Sequence, residues 1–109
     1  MATWADKIIE AHTRITDVVS HYERMKSERY FVWQEEGTET LTANNRPQEK
    51  AMRGTTDFFT KKEFDPWKNA FENSMTRSGI IWSLNSIQYE EDTGFIHYEW
   101  LWYVTGSDI

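Results

Sequence analysis

The sequence predicts an α+β fold in which an antiparallel sheet of four strands, or slightly more, carries two helices on one face. Two stretches show the spacing of apolar residues typical of helices, and four show the alternation typical of strands. The strands fall in pairs between the helices, which favours an antiparallel sheet, because single strands alternating with helices are typical of parallel ones. The predicted element order is α-β-β-α-β-β.

Length and composition narrow the class of protein. The 109 residues predict one domain, 1–109, with an ordered core at about 4–104. The chain has no cysteine, which excludes disulfides and thiolate metal sites and fits a reducing cytoplasm. A formal charge of −6 argues against a protein that coats nucleic acid. We expect a soluble, non-secreted protein without a membrane role, because no signal-peptide pattern or membrane-length apolar run is visible.

The first helix is predicted over about residues 4–25. Thr3 is placed to cap its N-terminus, and Glu10 precedes Arg14 by the four residues that favour an ion pair. Apolar residues recur at steps of three and four, as on one helix face: Trp4, Ile8, Ala11, Ile15, Val18, Tyr22 and Met25.

The first predicted strand, Arg29 to Glu35, is apolar on both faces, which is typical of a central strand. Residues 37–50 show neither period and predict a long loop with room for a short strand around Leu41. Loops of this length are usually functional or disordered. The candidate docking positions in this loop are Leu41, Asn44, Asn45 and Arg46.

The second half of the chain predicts a strand, a helix and a hairpin. The strand runs from Ala51 to Thr60, with Gly54 as a candidate bulge. The helix covers 66–77, with Asp65 as N-cap, Pro66 at its first position and Gly79 beyond its end. The hairpin pairs 80–89 with 95–104 around a turn that contains Gly94.

The alternation of the last strand predicts an uncovered apolar surface. Its larger apolar face, which we expect under the helices, holds Ile96, Tyr98, Trp100, Trp102 and Val104. The other face of the sheet would then present a patch large enough to attract a partner, unless loop 37–50 folds over it. The candidate oligomer or partner interface therefore consists of Phe31, Trp33, Phe95, Leu101 and Tyr103.

No constellation for catalysis is visible. His12, His21 and His97 lack metal-ligand spacing, and no phosphate loop or nucleophile elbow occurs. His97 shares a strand face with Glu99, which is more typical of a surface polar pair than of a proton-transfer pair. We therefore expect no enzyme activity, no metal and no cofactor.

Several stretches resemble the tail terminator (tail completion) proteins of long-tailed bacteriophages and of prophages in Gram-positive bacteria. The resemblance spans about residues 4–104. It lies in the first helix, the stretch Arg29 to Glu35, the strand Arg53 to Thr60, Phe64-Asp65-Pro66-Trp67 and the hairpin Leu84 to Trp100.

The resemblance implies a structural subunit of the virion tail, made in the cytoplasm of the bacterial host. Such subunits form a ring, usually hexameric, that stops polymerisation of the tail tube and joins the tail to the head. The implied partners are other copies of the chain, the major tail tube protein and the head-closure or connector protein, while DNA passes through without specific binding.

Acidic residues fit such a ring. Six subunits of charge −6 would carry 6 × −6 = −36, and an acidic lumen repels DNA. The candidate lumen or docking positions are Glu35, Glu36, Glu39, Glu90, Glu91 and Asp92. The alternative is that these residues lie in ordinary surface turns and only increase solubility.

Other functions stay open. A head-closure component is a close alternative, and a small host-directed binding module would use the exposed aromatic residues as its contact face. A protein that stacks single-stranded nucleic acid on Trp and Tyr would need a basic groove, which the net charge does not favour.

Overall fold

The computed structural model describes residues 2–43, 46–106 and 108–109. It confirms the α+β class and two helices, but the element order is α-β-β-β-α-β-β. The elements are α1 (Trp4–Thr13), β1 (Val19–His21), β2 (Arg29–Ala43), β3 (Arg46–Thr60), α2 (Trp67–Arg77), β4 (Ile81–Glu90) and β5 (Phe95–Thr105). No helix in the described part of the chain is long and apolar enough to cross a membrane.

The five strands form one mixed sheet in the order β1-β2-β3-β5-β4. β2, β3, β5 and β4 pair antiparallel, as predicted, whereas β1 runs parallel to β2. The expected fully antiparallel sheet is therefore wrong at one edge. We call the end of the sheet near Arg29 and Thr60 its lower end, and the end near Ala43 and Arg46 its upper end.

Helix α1 begins where the sequence predicts and ends twelve residues early. Thr3 and Asp6 form a capping box at its N-terminus. Beyond Thr13 the chain turns, and the Thr16 hydroxyl accepts a hydrogen bond from the Val18 N–H at 3.1 Å. Such local bonds compete with helix formation.

The apolar spacing continues past the end of α1 because the following segment crosses the sheet edge and contributes apolar side chains to both faces of the sheet. Val19 packs against the core under the helices, whereas Val18 and Met25 pack against the opposite face. A three- to four-residue spacing therefore persists without a helix.

Both helices cover the same face of the sheet, as predicted. The expected face of β5 lies beneath them: Trp100 and Trp102 are fully buried, and Ile96 is half-buried. Phe71 and Met75 of α2 and Ile8 of α1 complete this core. The largest apolar residues of the chain thus lie between the helices and the sheet.

The side chain of a buried histidine lies within this core. His12 Nδ1 lies 2.7 Å from the Ile8 carbonyl, so it donates there, and Nε2 accepts from the Thr56 hydroxyl at 3.0 Å. The same hydroxyl oxygen accepts the Trp102 indole N–H at 2.9 Å. Burial lowers the pKa of His12 to about 4, so the ring is neutral at pH 7.

A smaller cluster lies on the opposite face at the lower end. Tyr30, Val32 and Phe59 are buried there, and Arg24 lies over the Phe59 ring at 4.7 Å from its centre. The cover comes from the segment that joins α1 to β2, not from residues 37–50 as the sequence alternative proposed. The lower half of β2 and β3 is therefore covered on both faces.

Gly54 lies where the Trp102 ring crosses β3. A Cβ added there would lie 2.3 Å from Trp102 Cη2 and 2.4 Å from the Gln34 carbonyl oxygen. The bulge predicted at Gly54 lies opposite it on β2, where the pairing slips between Glu35 and Gly37. Gly54 leaves room for the Trp102 ring, and the irregularity in strand pairing occurs on the neighbouring strand, β2.

Asp65 joins α2 to the lower end of the sheet. Its carboxylate accepts hydrogen bonds from the Trp67 N–H (2.9 Å), the Thr60 hydroxyl (2.7 Å) and Arg29 Nε (2.8 Å). Burial alone would raise the pKa of Asp65, but these bonds and the Arg29 charge hold it below its usual value. The helix starts one residue later than predicted, with Pro66 at the N-cap position.

Candidate assembly surface

The upper ends of β2 and β3 form a two-stranded arm. β3 meets β5 only from Ala51 onward, so its residues 46–50 pair with β2 alone. At about 3.4 Å per residue, this stretch projects about 17 Å beyond the rest of the sheet. The molecule is correspondingly long, 47 × 25 × 23 Å. We call residues 40–43 and 46–50 the arm.

The arm replaces the predicted docking loop. Leu41 lies in β2 and Arg46 in β3, so the expected long loop is wrong: the chain pairs with itself through most of this region. Asn44 and Asn45 lie outside the described residues. The stretch lacks strand-like alternation in sequence because it is polar on both faces, so only the pairing between the two strands defines it.

The opposite edge of the sheet is open. β4 pairs with β5 on one side, and no described strand pairs with its outer side. Three large apolar side chains on β4 are more than half exposed: Ile81 at 58%, Ile87 at 56% and Tyr89 at 65%. We call the outer side of β4 the open edge. Sequence reasoning missed it, because alternation does not tell an edge strand from a central one.

Five residues were predicted to form an uncovered interface, and the structure separates them. Phe31 is fully buried and Trp33 is 6% exposed, both beneath the helices, so their placement on the uncovered face is wrong. The error has a physical cause: both faces of β2 are covered, so the sequence could not assign its faces to the two sides. Phe95, Leu101 and Tyr103 do lie on the face away from the helices, and they are half-buried.

The acidic residues of β2 contact other residues of the same chain. Glu35 Oε1 lies 2.7 Å from His21 Nε2, and Glu39 accepts a hydrogen bond from Arg53 Nη1 at 2.6 Å. Glu36 lies 3.7 Å from Arg53 Nε. Burial alone would raise the pKa of Glu35, but hydrogen bonds from His21 and Tyr22 lower it below its usual value. Arg53 partly compensates the charge at this end of β2.

The second acidic group lies at the lower end of the sheet, far from the arm. Glu90 Oε2 lies 3.6 Å from His97 Nδ1, and its backbone accepts the turn-closing bond from the Gly94 N–H. Glu91 and Asp92 are exposed in the turn. The two acidic groups therefore do not meet in one subunit.

The histidines form ordinary structural contacts. His97 Nε2 lies 2.7 Å from Asp57 Oδ1 on β3, a different partner from the Glu99 that the sequence suggested. His21 stacks between Tyr22 and Trp33, with ring centres 3.8 and 3.9 Å away. In the described part of the chain, no three His, Asp or Glu side chains come close enough to hold a metal ion.

A shallow cleft of about 570 Å³ adjoins the open edge. Ile87, Ile96 and Tyr98 line it from the sheet, and Phe64 lines it from the loop before α2. Phe64 is 92% exposed and has a φ of +52°, a left-handed conformation that is unusual for an aromatic residue. The apolar surface beside β4 therefore extends toward the N-terminus of α2.

A comparison of the chain with protein-family models and with curated proteins finds no match.

Proposed function

We propose that the chain is a structural subunit that assembles into a ring and acts as a tail terminator at the end of a bacteriophage tail tube. One observation carries the assembly part: the two edges of a single sheet are both open, one along β4 and one along the arm. Two different edges on one subunit allow head-to-tail contacts, and such contacts close into rings when the rotation permits.

The proposal for the tail end rests on the resemblance in sequence. Its partners would be the major tail tube protein on one side of the ring and the head-closure or connector protein on the other. The arm supplies an extended segment for docking, and the exposed carboxylates of Glu91 and Asp92 add to a net charge of −6 per subunit. A ring of such subunits would not bind the DNA that passes through it, because like charges repel.

In the decisive experiment, purified protein is mixed with tail tubes assembled from the major tail protein encoded in the same genome. We expect rings on tube ends in electron micrographs and an arrest of tube growth when the protein is added during polymerisation. Tubes that keep growing and show bare ends would contradict the tail terminator function. Binding to the portal assembly instead would favour a head-closure role, and a host protein that co-purifies without virion association would favour a host-directed binding module.

A further inference from the structure

We propose that the open edge of β4 pairs with the outer edge of β2 in a second copy, so that one sheet continues from subunit to subunit. This inference rests on the proposed ring and specifies its contact. The partner is another copy of this chain, and the bonds are backbone hydrogen bonds between antiparallel strands.

The first reason is that β4 carries little of the usual protection of an edge strand. Natural edges carry lysine or proline, are very short, or are bent away by a bulge. β4 is ten residues long, its sequence IWSLNSIQYE contains no Lys, Arg or Pro, and its one irregularity lies between Leu84 and Ser86. The other outer strand, β1, has only three residues. A long edge without lysine or proline is typical of a strand that is paired in the assembled state.

The second reason is that β2 offers an edge of matching length. β2 has 15 residues, and β1 pairs with it only as far as Trp33, the fifth, which leaves ten from Gln34 to Ala43. An isolated two-stranded ribbon is marginally stable in water. A third strand beside the arm would therefore stabilise a part of the molecule that only two described strands form.

The third reason is the direction of the strands. β2 and β5 run upward and β3 and β4 run downward, since each neighbouring pair is antiparallel. A rotation about the ring axis keeps these directions and so places the descending β4 beside the ascending β2 of the next subunit, in the antiparallel pairing that is favourable at an edge. The registers place Ile81 level with Gly37 and Ile87 level with Phe31. Pairing with residues 34–43 therefore requires strands tilted to the ring axis, because tilt shifts each subunit along the strand direction, as in barrels.

The charges do not oppose this contact. The only charged residue of β4 is Glu90 at its end, so the carboxylates of β2 meet no row of like charges. Glu36 and Glu39 are already partnered by Arg53. The exposed Ile81, Ile87 and Tyr89 would lose water on pairing, which supplies an apolar driving force.

Disulfide crosslinking tests the contact, since the natural chain has no cysteine. Ile87→Cys subunits are mixed with subunits carrying Thr38→Cys or Thr40→Cys, and the register is scanned with Tyr89→Cys, which shares the sheet face of Ile87. Disulfides need Cβ atoms about 3.5–4.5 Å apart, so only the correct register reacts well. We expect mixed dimers that need both variants, and a ladder up to the closed ring from a chain that carries both cysteines.

The contrary results are equally definite. Efficient crosslinking of Ile87→Cys to itself would show a symmetric β4–β4 contact and overturn the proposal. Absence of any crosslink between β2 and the open edge across the scan, in solution and on tail tubes, would also overturn it. Rings on tubes without these crosslinks leave the tail terminator function standing, whereas crosslinked oligomers that ignore tubes refute that function and keep the contact.

A charge on the open edge provides an independent test. Ile87→Lys should weaken association at least tenfold in sedimentation experiments, because edge lysines oppose strand pairing. Asn73→Lys is the matched control: Asn73 is exposed on α2, in the groove between the two helices, and its replacement should leave association unchanged. Circular dichroism confirms that both variants fold. Equal association of the two variants would count against the proposed contact.

Discussion

The lower and upper halves of the β2–β3 pair are built in opposite ways. Below Gly54 both faces are covered, with Phe31 and Phe58 beneath the helices and Tyr30 and Phe59 on the other side. Above Ala51 the two strands form an arm that pairs with no third described strand. The same two strands thus provide both the centre of the fold and its least supported part.

This difference indicates that the two halves have different roles. Apolar burial and buried hydrogen bonds are concentrated in the lower half, so that half determines the free energy of unfolding. We expect the arm to add little to it, because only two described strands form the arm. The predictions below test how much different positions contribute to the free energy of unfolding, from the buried lower end to the base of the arm.

The largest effect is expected at Asp65. Asp65→Ala removes the acceptor for Arg29, Thr60 and the first N–H of α2, and leaves the Arg29 charge without its partner. We expect the free energy of unfolding to fall by about 3 kcal/mol, as is typical when one partner of a buried pair is deleted. Urea denaturation followed by tryptophan fluorescence measures the loss.

Asp92→Ala is the matched control. Asp92 is exposed in the β4–β5 turn, and its replacement should change the unfolding free energy by less than about 0.5 kcal/mol. The Asp65 contribution should also depend on pH. Because its folded pKa is lowered, the contribution is complete above the unfolded value near 4 and is lost as pH falls through the folded pKa. Equal losses for both variants would show that Asp65 contributes no more to stability than an exposed turn carboxylate.

The sequence predicted the helix ends and the buried face of β5, because their signals are local, but not the buried face of β2. Thr3 and Asp6 cap α1, Gly79 follows α2 with a φ of +75°, and the alternation of β5 identifies its buried face. Asp65 was predicted as the N-cap and lies one position before it; its carboxylate accepts the Trp67 N–H, and its bonds to Arg29 and Thr60 were not predicted. Those partners lie 36 and 5 residues away, and only the pairing of β2 with β3 brings them together.

A second prediction concerns the histidine under the helices. The pKa of His12 is about 4 in the folded protein, against an ordinary histidine value of 6.5. As pH falls from 6.5 toward 4, the unfolded chain takes up a proton that the folded chain refuses, so stability falls. The difference corresponds to about 3 kcal/mol, at 1.36 kcal/mol per pKa unit. Urea titrations at pH 7, 6, 5 and 4 measure this slope.

The slope should depend on the His12 ring. His12→Gln is expected to be less stable at pH 7 but to lose much of the dependence between pH 6.5 and 4. Asn73→Gln is the control, since Asn73 is exposed on α2 and carries no titratable group, so its replacement should leave the slope unchanged. A His12→Gln protein that keeps the full slope would refute its assignment to His12.

The assembly surface was harder to predict because it depends on the global arrangement. The stretch 37–50 has no apolar alternation, so it resembles a loop, although it pairs along β2 and β3. The helical spacing after Thr13 concealed β1, which makes the sheet mixed and leaves most of the outer edge of β2 uncovered. The position of β4 at an edge follows from strand order, which no local pattern specifies.

The smallest effect is expected at the base of the arm. Arg53 pairs with Glu39 at 2.6 Å and approaches Glu36 at 3.7 Å, and all three side chains are about a third exposed. A double-mutant cycle with Arg53→Gln and Glu39→Gln should give a coupling energy below about 1 kcal/mol that shrinks in 1 M salt, as for surface pairs. A coupling of 3 kcal/mol that resists salt would mean that the arm is as firmly held as the lower half. A weak coupling leaves the arm dependent on a neighbouring strand for its order, which is the property that subunit pairing requires.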